Sequence, residues 1–357
     1  MKKLVVKIGT NVLSRPDGLL DVTAMSQLVD QIAEVKRQGI EVIVVSSGAV
    51  GAGRSLVQLP EDTNRVVRRQ VLAAVGQIKL MGIYADLLGR YGLHCAQVLA
   101  TKEDFRDREH YLNMKNCLLA LLRDNIVPVV NENDVVSVSE LMFTDNDELA
   151  GLIASMTGAD ALAILSNVDG VLDGPPGHPD TRTIREVAAD DRLQAGIISP
   201  VKSSFGRGGM ATKFRFAQKA ARVGISVWIA NGKQPGVLLD IATNKPVGTC
   251  FRALPGVNNL KKWMAYDGSQ APKGVLVVNA GAADILRNRV ASLLPVGIVR
   301  VEGNFEKGDL VQIVAENGAA LGLGKAQLGA EAARNLSGKK GKKPVVHYDY
   351  LYLAAEQ

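Results

Sequence analysis

A chain of 357 residues is long for one hydrophobic core and suits two domains. Apolar residues make up 47% and charged residues 22%, which excludes a disordered or collagen-like chain; aromatic residues are only 4%, so an aliphatic core is expected. The net charge of +6 is modest and does not by itself demand a nucleic-acid partner. In chain order, residues 4–8 read as a strand, an apolar run too short for a signal-peptide core or a membrane span. Leu28, Ile32 and Val35 fall at helical spacing, and Gly39 ends that helix. Residues 41–45 form a β-rich apolar run, and a long helix is predicted over 65–89. A strand at 94–99, a helix at 113–123, a strand at 126–130, a helix at 148–157, a strand at 161–165, a helix at 212–223 and a strand at 225–230 continue the alternation. Apolar strands alternating with helices predict an α/β three-layer sandwich around a mainly parallel sheet. Ligands on such sheets gather beyond the C-terminal ends of the strands.

Near Gly256 the texture changes. Short strands are predicted at 274–278, 297–301, 309–314 and 320–324, punctuated by Gly, Asn and Asp, with one short helix around 282–287. The expected organisation is an α/β domain over residues 1–255, a linker over 256–272 and a small β-rich domain over 273–352, a partly closed barrel.

The chemistry begins with two lysines in glycine-rich sequence. Lys7 runs into Gly9-Thr10, where a backbone turn can wrap phosphate, although a strand-end lysine more usually points to water. Ser46-Ser47-Gly48-Ala49-Val50-Gly51-Ala52-Gly53 follows a buried-looking strand; its small residues suit either an anion cradle or close packing of elements. A G-x-x-x-x-G-K-S/T run is missing, as is the glycine spacing of a dinucleotide fingerprint. Asn131-Glu132-Asn133-Asp134 stands at a strand end as a turn or a ligand loop, with Asp134 the best candidate to receive a substrate ammonium. Thr144-Asp145-Asn146-Asp147 opens a helix, where one acidic residue serves as a cap and Asp147 is free to orient both lysines. Gly206-Arg207-Gly208-Gly209-Met210-Ala211-Thr212-Lys213 opens another. Lys213 opposes the positive pole of its helix unless a polyanion shares the site. Cationic groups, backbone donors and carboxylates are the parts that hold a nucleotide polyphosphate while a phosphoryl group moves.

Other signals are weaker. Ser166-Asn167 follows a strand and suits an adenosine pocket. His94, His110, His178 and His347 do not pair at ligand spacing, so neither zinc nor a serine triad is indicated. Cys95, Cys117 and Cys250 form no disulfide framework, which fits a reducing cytoplasm. Lys339-Lys340-Gly341-Lys342-Lys343 is either a solvated loop or a contact for phosphate backbones, the second reading belonging to an RNA-binding protein on an inactive scaffold.

Taken together, Val6-Lys7-Ile8-Gly9-Thr10, Val45-Ser46-Ser47-Gly48-Ala49, Ala73-Ala74-Val75-Gly76-Gln77, Val130-Asn131-Glu132-Asn133-Asp134, Asp145-Asn146-Asp147 and Gly208-Gly209-Met210-Ala211-Thr212-Lys213 resemble the glutamate 5-kinases of the amino-acid kinase superfamily. The order matches from residue 1 to about 250, and the remaining third resembles a PUA domain. The resemblance implies ATP-dependent phosphorylation of the L-glutamate side-chain carboxylate, with Mg²⁺, as the first step of proline biosynthesis. It further implies inhibition by proline, a homo-oligomer (tetramer or dimer), and glutamyl phosphate reductase as functional partner. Residue by residue, it implies Lys7, Lys213 and Asp147 as catalytic. Ser47, Asn131, Asp134, Asp145 and Asn146 would bind glutamate. Lys7, Ser166, Asn167, Arg207, Gly208, Gly209, Met210, Ala211, Thr212 and Lys213 would bind ATP. Three departures stand out: Ser166-Asn167 replaces a Thr-Asp pair, Thr144 replaces a glycine, and the segment from Leu172 to Pro179 replaces one that contains tyrosine.

Overall fold

The β-branched runs of the first 256 residues become β1 (Lys3–Ile8), β2 (Glu41–Ser46), β3 (Cys95–Ala100), β4 (Val127–Glu132), β5 (Ala161–Ser166), β6 (Glu186–Ala188), β7 (Ser226–Asn231) and β8 (Thr249–Arg252). Between them lie α1 (Thr10–Leu13), α2 (Val22–Arg37), α3 (Ala49–Arg54), α4 (Arg65–Gly89), α5 (Lys102–Arg106), α6 (Arg108–Arg123), α7 (Asn146–Thr157), α8 (Met210–Arg222) and α9 (Val237–Ala242). This computed structural model describes residues 1–106, 108–136, 143, 146–174, 178, 180–188, 209–254, 272–288, 291–341 and 343–353. Arg207, Gly208, Thr144, Asp145, residues 175–177 and 179, and nearly all of the expected linker lie outside that set. The chain divides into two units, Met1–Gly256 and Val257–Gln357.

In the first unit the strands form one sheet in the order β3-β4-β2-β1-β5-β7-β8-β6. Every pairing is parallel except β7 with β8. Helices α6, α7 and α8 cover one face, and α2, α4 and α9 the other. The period of two along β1 decides what each face receives. Leu4, Val6 and Ile8 join the core under α2 and α4, which sends Val5 and Lys7 to the face under α7. The sheet order turns at β1, which lies between β2 and β5. The segments leaving β1, β2, β4 and β5 therefore emerge side by side at a topological switch point.

Helix α2 forms because Met25, Leu28, Val29, Ile32 and Val35 share one buried stripe, Asp21 caps its start by accepting from Ala24 N (3.0 Å), and Lys36 and Arg37 close its negative end. Each fully buried aliphatic side chain contributes about 1.5–3 kcal/mol. Helix α4 is long and apolar enough to cross a membrane by length and composition alone. Here Leu80, Tyr84, Leu87 and Leu88 bury it in the core instead. Two small elements, β6 and β8, escape the sequence reading because three and four residues carry too little periodicity. Helix α6 starts at Arg108, earlier than its apolar spacing indicates.

The second unit is built on β9 (Gly274–Val278), β10 (Ile298–Gly303), β11 (Leu310–Ala315), β12 (Ala320–Lys325) and β13 (Leu351–Leu353), with α10 (Ala280–Asn288) and α11 (Ala330–Leu336). These strands make a mixed sheet in the order β10-β9-β11-β12-β13. Leu276, Val278, Leu286, Ile298, Phe305, Val311 and Ile313 give it a core of its own.

Candidate active site

Three distant segments meet at one carboxylate. Lys7, one residue before the end of β1, lies 2.5 Å from Asp147 Oδ1, and Lys213 Nζ donates to Asp147 Oδ2 at 2.6 Å. Asp147 is fully buried, and the two lysine side chains are only 5% and 11% exposed, so neither ammonium is a solvated surface charge. Asp147 sits in the first turn of α7, where the helix N-terminus favours an anion. Lys213 sits in the first turn of α8, where the bare helix disfavours a cation. Packing of α7 against α8 brings the two together and offsets that conflict. Burial alone would raise the Asp147 carboxyl, but Lys7 and Lys213 hold it well below the usual carboxylate range. Two ammoniums against one carboxylate leave the cluster net positive, the charge state that receives a polyanion.

Beside this cluster runs a chain of amides and hydroxyls. Asn146 Nδ2 donates to Ser46 O (2.9 Å), Ser47 Oγ (3.0 Å) and Asn131 Oδ1 (3.2 Å). Asn131 Oδ1 also accepts from Glu132 N (2.8 Å), and Asn131 Nδ2 donates to Gln77 Oε1 (3.0 Å). The Ser46 and Tyr84 hydroxyls share a hydrogen bond at 2.8 Å. Arg69 pairs with Asp134 and lies 3.2 Å from Glu132 Oε2. Burial raises both the Asp134 and the Glu132 carboxyls, with Arg69 opposing the rise. Of the expected substrate residues, Ser47, Asn131, Asp134 and Asn146 thus lie on one network, with Asn131 only 3% exposed and engaged at both ends of its amide. Asp145 falls outside the described residues.

Arg69 and Tyr84 were not singled out by the sequence, and Gln77 stood only at the end of the Ala73–Gln77 run, with no role of its own. All three project from α4 at intervals of eight and seven residues, two helical turns each, which puts them on one face. A polar residue every two turns of a long helix looks like an ordinary mixed face, so only their partners reveal them.

The glycines divide their work. Gly48 has φ +104, a left-handed turn that lets the chain leave β2 and start α3. A Cβ on Gly53 would stand 2.0 Å from Leu72 O, and one on Gly76 only 1.9 Å from Ala49 O, so these two bring α3 and α4 into backbone contact. Close packing, rather than a phosphate cradle, accounts for Gly53. On the other side, Gly209 caps α8 in an extended conformation without a side-chain cap, ahead of Met210, Ala211, Thr212 and Lys213. Thr212 N and Lys213 N bond back to Gly209 O. Ser166, 8% exposed, ends β5, and Asn167 after it is exposed.

The sequence profile of the Amino acid kinase family matches residues 2–231, well over half the chain, and that of the PUA domain matches residues 274–348. The chain belongs to the amino acid kinase family. Its likeness to individual kinases is full-length. It is 50% identical over 355 residues to the glutamate 5-kinase of Bacteroides thetaiotaomicron, covering 98% of each chain. To the glutamate 5-kinase of Chlorobaculum tepidum it is also 50% identical over 355 residues, covering 99% of this chain and 97% of the other. The amino acid kinase fold is seen again in a solved structure, an isopentenyl phosphate kinase of T. acidophilum in a product complex. The two are 19% identical over 70% of this chain and the whole of the other, with a TM-score of 0.51.

Proposed function

We propose that this kinase transfers the γ-phosphoryl group of ATP to the side-chain carboxylate of L-glutamate, giving L-glutamyl 5-phosphate and ADP in the cytoplasm, as the first step of proline biosynthesis. The observation that carries the reading is the buried Lys7–Asp147–Lys213 bridge, net positive and beside an amide-rich acceptor network. Full-length likeness to relatives named glutamate 5-kinase supports the choice of acceptor.

The chemistry asks little beyond positioning. The attacking oxygen belongs to an ionised carboxylate, so no general base is required. As the new O–P bond forms and the bond to the ADP oxygen breaks, negative charge moves onto equatorial and leaving oxygens. Lys7 and Lys213 are the groups that meet it, and Asp147 keeps both ammoniums in place without a rearrangement at the moment of transfer. The donor nucleotide is assigned to the α8 N-terminus from Gly209 to Lys213, to Ser166 and Asn167, and to Arg207 and Gly208. Both Asp147 oxygens already face ammoniums, and no group of three His, Cys, Asp or Glu suited to a metal occurs among the described residues. A Mg²⁺ ion brought in with the nucleotide would supply further charge neutralisation here. Ser47, Asn131, Asp134, Asp145 and Asn146 bind glutamate. Proline inhibits, the assembly is a homo-oligomer, and the labile acyl phosphate passes to a reductase.

The test is ADP release from the full chain with L-glutamate, L-aspartate, N-acetylglutamate and UMP in turn, with hydroxylamine trapping the acyl phosphate. Glutamate is expected to be strongly preferred and to yield a hydroxamate. A preference for any other acceptor overturns the proposal.

A further inference from the structure

We propose that Gln77 is a positioning residue that sets which way the Asn131 and Asn146 amides face. It thereby makes the Asn146 side-chain oxygen an acceptor for the α-ammonium of an amino-acid substrate. This deepens, and rests on, the reading of the site as a glutamate kinase.

Amide orientation is normally ambiguous, since nitrogen and oxygen have similar shapes. Here two backbone groups remove the ambiguity. Glu132 N is a donor and nothing else, so the Asn131 atom 2.8 Å away must be oxygen. Ser46 O is an acceptor and nothing else, so the Asn146 atom 2.9 Å away must be nitrogen. Asn131 then turns its Nδ2 toward Gln77, and Gln77 must answer with Oε1, at 3.0 Å. At the other end Asn146 Nδ2 is spent on Ser46, Ser47 and Asn131, which leaves its Oδ1 as the accepting face of the side chain. Ser47 Oγ accepts from Asn146, so its own O–H is available to donate. An acceptor beside a hydroxyl donor matches the ammonium and carboxylate of an α-amino acid.

Gln77 is the innermost link. It is 8% exposed, and its Nε2 is buried with no partner among the described residues. An apolar side chain would avoid that unpaired donor, so packing alone does not explain a glutamine here. Gly76 fixes where the link sits, because α3 lies so close that a Cβ here would stand 1.9 Å from Ala49 O. Without the Gln77 acceptor, Asn131 Nδ2 is an orphan inside the protein. Turning the amide over to relieve it would set a donor against Glu132 N and Asn146 Nδ2. Either way Asn146 loses its fixed orientation.

Steady-state kinetics of the full chain with L-glutamate and with glutarate, the same dicarboxylate without an amino group, test this. In Gln77→Met the preference for glutamate over glutarate in kcat/KM is expected to fall about tenfold or more, the scale of one ammonium hydrogen bond. The loss should lie in the glutamate KM, with the ATP KM little changed and the glutarate kcat/KM lowered much less than that for glutamate. Gln77→Glu keeps an acceptor toward Asn131 and should restore most of the preference. If Gln77→Met loses its thermal transition, Gln77→Ala carries the same comparison with space instead of bulk. Parental preference in a folded Gln77→Met or Gln77→Ala, or equal damage with both acceptors, overturns the role of Gln77. A parent chain that phosphorylates no carboxylate overturns the proposed function itself.

Discussion

At the scale of single residues, the two sides of the site answer differently to charge and to pH. Lys213→Ala removes one of the two ammoniums at Asp147; turnover should fall about 10²–10³-fold, with the glutamate KM little changed, in the same ADP-release assay. Asp147 is held below the ordinary carboxylate range. Its ionised form therefore stabilises the fold at every pH above the unfolded aspartate value and is lost only as pH falls through the lower folded value. Asp134 is shifted the other way by burial, so it takes up a proton at higher pH than an ordinary aspartate. Acidification should thus raise the glutamate KM before it lowers kcat. Arg69 opposes that rise, so Arg69→Met should move the acid limb of the KM profile to higher pH. A limb that stays in place in the variant would show that Arg69 does not act on Asp134. The sequence displays Lys7, Asp147 and Lys213 because each breaks a local rule: a lysine inside an apolar strand, a long acidic run at a helix start, a cation at a positive pole. Arg69, Gln77 and Tyr84 break none, and no rule of spacing on one helix reports partners 38, 54 and 63 residues away.

Among the elements, α4 does more than any other to connect core, site and surface. Leu72 and Leu80 face inward, while Val67 and Ile78, eleven residues apart and so on one side of the helix, are 47% and 79% exposed. Its apolar pattern announced a helix over 65–89, and the structure has α4 over the same span, Arg65–Gly89. The pattern did not separate inward from outward apolar residues, since both satisfy helical spacing. Nor did it show that the glycine-rich stretch after β2 contains a helix, because small residues carry almost no periodic signal. Gly76 is where α4 is most tightly constrained. A methyl group there meets backbone rather than a side chain that can move. Gly76→Ala should therefore cost about 1–3 kcal/mol in a denaturant titration, despite the better helix propensity of alanine. A neutral or stabilising effect would mean that α3 and α4 separate freely.

For the whole molecule, the exposed stripe of α4 is the face to test for the homo-oligomer proposed above. Val67 and Ile78, with Val66 at 51% exposure beside them, are apolar where a solvated helix face would be charged. Ile78→Glu should shift light scattering toward a smaller species than the parent at equal concentration; an unchanged mass would exclude this face from the contact. The alternation of strands and helices, and the change of texture near Gly256, make the α/β architecture and the β-rich second unit legible in the sequence alone. The antiparallel β8 was not, because its four residues take their direction from β7 rather than from their own pattern.

The bridge between Lys7, Asp147 and Lys213 also has a consequence for how the enzyme is made. Translation delivers β1 first and Lys213 late, 66 residues after Asp147. Until then the carboxylate has at most one ammonium, and burying it is incompletely compensated. The charge of the pocket is therefore complete only once Lys213 has been made. A chain that ends before Lys213, at a stalled ribosome or a protease cut, carries β1 to β5 but only one of the two ammoniums, so such a copy is not expected to spend ATP.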